Sequence, residues 1–69
     1  MFVKTGTRLI VSHKRKGRFE GKAARDFDTE TTEFFPIITL ERLSGMSRDW
    51  EVGEMVECRN DLTKITIME

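Results

Sequence analysis

Sixty-nine residues, 38% hydrophobic and 35% charged, with twelve Lys and Arg balancing twelve Asp and Glu, are expected to form one small domain spanning 1–69. A chain of this size sits near the lower limit for a self-sufficient hydrophobic core and leaves no room for a doubly wound cofactor fold or an enclosed substrate pocket. The longest apolar run, Phe34-Phe35-Pro36-Ile37-Ile38, is too short to span a bilayer, no signal-peptide pattern follows Met1, and the single Cys58 excludes an internal disulfide and points to a reducing, cytoplasmic setting.

The pattern is β-like along the whole chain. Met1 to Thr5 alternates weakly and runs into Gly6-Thr7, a turn signal. Arg8 to Lys14 places Leu9, Val11 and His13 on one face and Arg8, Ile10, Ser12 and Lys14 on the other. Lys14-Arg15-Lys16-Gly17 then reads as a hairpin tip, charged and ending in a residue that tolerates positive φ. From Arg18 to Phe27, alternation aligns Phe19, Gly21, Ala23 and Phe27, with a bulge expected near Ala23-Ala24 that turns Arg25 outward. The polar stretch from Asp28 to Glu33 is a loop.

Phe34 to Leu43 supports two assignments. Its aromatic and β-branched residues favour a strand buried on both faces, with Pro36 arguing for an edge or a break. Proline at the start and Gly45 at the end would also suit a short helix over 37–44. The strand is preferred. Ser44 to Asp49 is a loop. Trp50–Arg59 and Leu62–Met68 flank Asn60-Asp61, both tolerant of left-handed conformations, so a two-residue hairpin is expected there. It would pair Cys58 with Thr63, Glu57 with Lys64 and Val56 with Ile65, with Val56, Cys58 and Ile65 facing inward. The expected fold is all-β, a small five-stranded SH3-like or OB-like barrel, since closing the sheet removes its edges.

Zero net charge conceals an asymmetry. Residues 1–25 carry eight Lys and Arg against one acid, Glu20, while residues 26–69 carry eleven acids against four basic residues. If the two parts interleave, the charges pair and solvate the surface. If they stay apart, one face suits a polyanion.

Little in the chain suggests catalysis or metal binding. His13 lies on the apolar face of its strand, Cys58 lies beside Val56 on the inner face, and Asp26-x-Asp28-x-Glu30 lacks the glycine and the late acid of a calcium loop. Neither a cofactor nor a metal is expected. The feature with chemical content is the basic tip and adjoining strand, Lys14, Arg15, Lys16, Arg18, Lys22 and Arg25, with Phe19 as a stacking surface. The leading expectation is a non-enzymatic module that associates with nucleic acid. The alternative is a small regulatory or inhibitory protein-binding module, of a kind that would suit a phage-encoded chain, using Phe34, Phe35, Trp50 and the acidic surface. Homo-oligomers through complementary ends are a third expectation, and no membrane association is expected.

Overall fold

The computed structural model describes residues 1–68, and they form an all-β protein. Strand β1 (Phe2–Val3) pairs antiparallel with β4 (Phe27–Asp28) as a two-stranded clip. Strands β2 (Arg8–His13), β3 (Gly17–Ala23), β5 (Phe34–Arg42), β6 (Met55–Arg59) and β7 (Thr63–Ile67) make one antiparallel sheet in the order β6-β5-β3-β2-β7. A 3-10 turn, Asn60–Leu62, joins β6 to β7. No ladder joins those two strands among the described residues, so the sheet curls without a hydrogen-bonded closure.

Period-two alternation sets the core, as expected. Leu9, Val11, Phe19, Ala23, Ile37, Val56 and Cys58 all point inward and are buried. Two devices fill the ends of the curled sheet. At one end the β1–β4 clip buries Val3 and Phe27, and Phe27 stacks on Phe35 with centroids 4.9 Å apart. Thr5 fastens this clip, its amide and hydroxyl both donating to Asp26 Oδ1 at 2.7 and 2.8 Å. At the other end Trp50 packs edge-on against Phe19 (5.8 Å) and His13 (5.3 Å). Edge-to-face contacts of this kind add about 0.5–1.5 kcal/mol beyond the area they bury.

The strand preferred for Phe34 to Leu43 forms over Phe34–Arg42, and the alternative short helix over 37–44 does not. The structure corrects three other sequence expectations. Pro36 lies in a strand paired on both sides, not at an edge. The amide it lacks falls on the last rung of the β3–β5 ladder, where Ala24 N–H donates to Pro36 O, so one hydrogen bond is lost and the ladder is otherwise intact. The bulge falls between Glu20 and Gly21, not at Ala23-Ala24. Leu40 is the extra residue opposite it, and the bare Gly21 lets Ile37 and the Ile38 carbonyl approach.

The third correction concerns the last hairpin. β6 pairs with β5, and β7 pairs with β2, so the two strands flanking Asn60-Asp61 are not partners. The reason is local. Asn60 is held elsewhere, its Nδ2 donating to the Thr29 and Thr32 carbonyls at 2.7 and 2.8 Å and its amide to Glu33 O. Neither Asn60 nor Asp61 adopts positive φ, which a two-residue turn would need. The inward facing of Val56, Cys58 and Ile65 survives, because alternation along each strand is independent of which strand lies alongside.

The tip of the β2–β3 hairpin is where backbone geometry is most constrained. Gly17 has φ +80°, and a Cβ there would run into the Gly45 backbone. Gly53 has φ +95° but open space around it. Gly17→Ala should therefore cost about 3 kcal/mol or more, against about 1 kcal/mol for Gly53→Ala, because only the former adds a backbone clash to the left-handed penalty. Urea unfolding of the two variants checks this, and equal losses would exclude the clash.

Candidate functional site

The basic residues of the first 25 meet different fates in the fold. Arg8 pairs with Glu20, which is buried and sits directly opposite Glu41 across β3 and β5. Like charges opposed in register repel, and Arg8 offsets that repulsion. Arg25 pairs with Glu57 at 3.5 Å and Lys16 with Asp49 at 2.8 Å, both acids coming from later in the chain. Lys22 lies on the outer face opposite Arg8, separated from the hairpin tip by Glu20. Lys14, Arg15 and Arg18 are exposed and make no ion pair among the described residues.

Sheet order adds a cation that the sequence did not assign to this group. Ser12 is opposite Arg18 on β3 and opposite Lys64 on β7, so Lys64, Ser12 and Arg18 form one outward row. Directly opposed side chains stand about 5 Å apart at Cβ. Lys14 continues the row toward the tip, where its amide donates to Leu62 O. A shallow hollow of about 240 Å³ lies here, lined by Ser12, Lys14, Asp61, Leu62, Thr63 and Lys64. Asp61 is its acidic member and is paired with Arg59 at 3.0 Å.

On the other flank of the tip, the segment between β5 and β6 folds over the end of the sheet. Leu43 N–H donates to Arg18 O, Ser47 N–H donates to Lys16 O, and the buried Thr39 hydroxyl donates to Glu51 O at 2.6 Å. Arg42 fixes the middle of this segment by donating to the Ser47 and Trp50 carbonyls. An open groove of about 400 Å³ results, lined by Arg42, Met46 and Arg48. Sequence reasoning did not select Arg42, Arg48 or Lys64, and their separation along the chain gave no signal. Sheet order brings Lys64 and Arg42 to the tip, and the folded segment between β5 and β6 brings Arg48.

The aromatic residues do not sit where expected. Phe19 is fully buried and offers no stacking surface. Phe35 is buried against Phe27, whereas Phe34 is exposed beside Arg59. Phe34 begins β5, and Trp50 is held by Arg42 at the end of it, so Phe34, Phe35 and Trp50 share no common surface. Trp50 is half-buried at the basic tip, with the Lys16 ammonium 5.6 Å from its ring centroid.

The titratable groups serve the fold. Burial pushes the Cys58 thiol up to about 12, which keeps it protonated and poorly nucleophilic. Asp49 is held below the usual carboxylate range by its hydrogen bond from Lys16 and by that cation's charge. Among the described residues, no group of three His, Cys, Asp or Glu side chains is arranged to hold a metal ion. Among the described residues, no helix is long and apolar enough to cross a membrane. Comparison with protein-family models, with curated proteins and with solved structures found no match to this chain.

His13 braces the tip. Its Nδ1 accepts the Arg15 and Lys16 amides at 3.1 Å each, so that nitrogen must stay unprotonated. Burial lowers its pKa, and the Lys16 and Arg15 charges lower it further. A base that binds its proton less readily when folded leaves stability intact above the unfolded value near 6.5 and removes it as pH falls below that. The urea midpoint should therefore drop between about pH 7 and pH 5. His13→Phe should be weaker throughout but flat across that interval. A wild-type midpoint equally flat there would rule out the brace.

Proposed function

We propose that this protein is a non-enzymatic module that binds nucleic acid through the basic end of its sheet. The observation that supports this best is the convergence of Lys14 and Arg15 at the β2–β3 tip, Arg18 on β3 and Lys64 on β7, with no acid paired to any of them among the described residues. Ser12 adds a hydroxyl within the same row. Phosphate oxygens are the ligands such a row suits, since closely spaced, solvated cations neutralise a regularly charged backbone and release its counterions.

Relative to the expectation from sequence, the proposed interface is narrower and displaced. Lys16 and Arg25 are engaged by Asp49 and Glu57, and Lys22 lies beyond Glu20, so these three contribute at most to the surrounding field. Phe19 gives way to Trp50 as the aromatic group near the cations. The meander β2-β3-β5-β6, with the final strand returned to β2 after a 3-10 turn, favours an SH3-like reading of the curled sheet over an OB-like one. The protein-binding alternative is weakened by the separation of Phe34 from Trp50 along β5 and by the use of Phe35 in the core.

Salt dependence tests the proposal. If Lys14, Arg15, Arg18 and Lys64 each neutralise one phosphate, affinity for a labelled oligonucleotide falls about 100-fold between ~50 and ~200 mM salt. Changing all four to Ala should abolish binding at the lower salt, while Lys22→Ala with Arg25→Ala leaves it nearly unchanged. Either strandedness serves for this measurement. Absence of binding to both single strands and duplexes at ~50 mM salt rejects the proposal.

A further inference from the structure

The groove lined by Arg42, Met46 and Arg48 plays no part in the row of Lys64, Ser12 and Arg18, and it has a different character. The row is open sheet surface, suited to a backbone passing over it. The groove is concave, about 400 Å³, within the size range of pockets that accept small organic groups. Its lining combines two guanidinium groups with a thioether, and among the described residues no carboxylate lines it. Arg42 is already oriented, its Nη1 donating to Ser47 O at 3.0 Å and its Nη2 to Trp50 O. Arg48 is exposed and has no ion-pair partner among the described residues. Met46 packs against the core and gives the groove an apolar, polarisable wall.

We infer that this groove takes one unstacked nucleotide, so that the nucleic acid bound by this protein is single-stranded. The inference rests on the nucleic-acid reading above and specifies its substrate. A nucleotide joins an anionic phosphate to a flat, polarisable base, and the groove offers a match to each part. Arg48 is free to take the phosphate, and the Arg42 plane and Met46 present surfaces on which a base can lie. Bases within a duplex are stacked and paired and present only their edges in the grooves, so a duplex reaches the cationic row but cannot fill this site.

The path between the two regions is short. Lys64, Ser12 and Arg18 follow the order β7-β2-β3, and Leu43, just past β5, is hydrogen-bonded to Arg18. Three inter-strand steps of about 4.8 Å separate β7 from β5, so a few nucleotides of single strand can lie on the row while one enters the groove.

The test uses the whole protein, with Trp50 as an intrinsic reporter, since it is the only tryptophan, there is no tyrosine, and its carbonyl is held by Arg42. Single-stranded oligonucleotide should bind at least about 10-fold more tightly than a duplex of equal phosphate number, and should change Trp50 emission where the duplex does not. Arg48→Ala should weaken single-strand binding about 10-fold, the loss of one charge-assisted contact, with much less effect on the duplex. Arg42→Lys, which keeps the charge but loses the planar fork, should also reduce the single-strand preference.

Equal affinity for both forms, with Arg48→Ala affecting them alike, would overturn the nucleotide site and leave the nucleic-acid reading standing. Failure of both forms to bind would remove the two together. Displacement of the oligonucleotide by polyglutamate of matched charge, as efficiently as by unlabelled oligonucleotide, would assign the groove to acidic peptides and overturn the inference.

Discussion

The close approach of the Gly45 backbone to Gly17 governs the basic end of this protein. The segment between β5 and β6 has no regular structure of its own, yet it must cover the end of a curled sheet whose core would otherwise open to water. It does so by crossing the β2–β3 tip at a separation that only glycine permits. Ser47 then meets Lys16 through the backbone, Asp49 meets the Lys16 ammonium, and Trp50 settles on Phe19 and His13. Each contact depends on the crossing. The same crossing leaves Arg42, Met46 and Arg48 around an open groove, so core closure and the candidate site are products of one constraint.

Charge is organised by the same geometry. At the end of the sheet farthest from the tip, Lys4, Arg8 and Arg25 lie among Glu20, Asp26 and Glu57, and the charges pair or offset one another. At the tip, Lys16 alone is answered directly among the described residues, by Asp49. Interleaving and segregation therefore coexist, each at its own end, and a net charge of zero for the chain says nothing about either. Because exposed charges separated by more than about 10 Å are largely screened at ordinary ionic strength, a ligand at the tip responds mainly to the cations beside it.

The parts of this structure that were legible in the sequence are those fixed by alternation within a strand. Leu9-x-Val11-x-His13 and Val56-x-Cys58 point inward whatever lies beside them, and the Lys14–Gly17 tip follows from turn chemistry. Pairings between strands distant in sequence were not legible. Asn60-Asp61 reads as a hairpin turn until Asn60 is found hydrogen-bonded to Thr29 and Thr32, a contact that no local pattern encodes. Lys64 was therefore placed opposite Glu57, as half of a neutral pair, when it stands beside Ser12 and next to Arg18. Phe19 shows the converse difficulty. Its place among basic residues suggested a stacking surface, and its place in the alternation made it core. The alternation prevailed because a domain this small buries nearly every large side chain that faces inward.

The expected pairing of β6 with β7 is what kept Lys64 apart from the basic tip. A β6–β7 hairpin would have cancelled Lys64 against Glu57 and left β2 as an edge. Anchoring Asn60 to the 29–33 turn instead sends β7 across to β2, separates Lys64 from Glu57, and gives β2 a second partner. In that arrangement Glu57 is left to Arg25, at the far end, where the pair neutralises two charges that a polyanion would otherwise meet. The amide of Asn60 therefore influences the charge of the tip without touching it, by deciding which strand lies beside which.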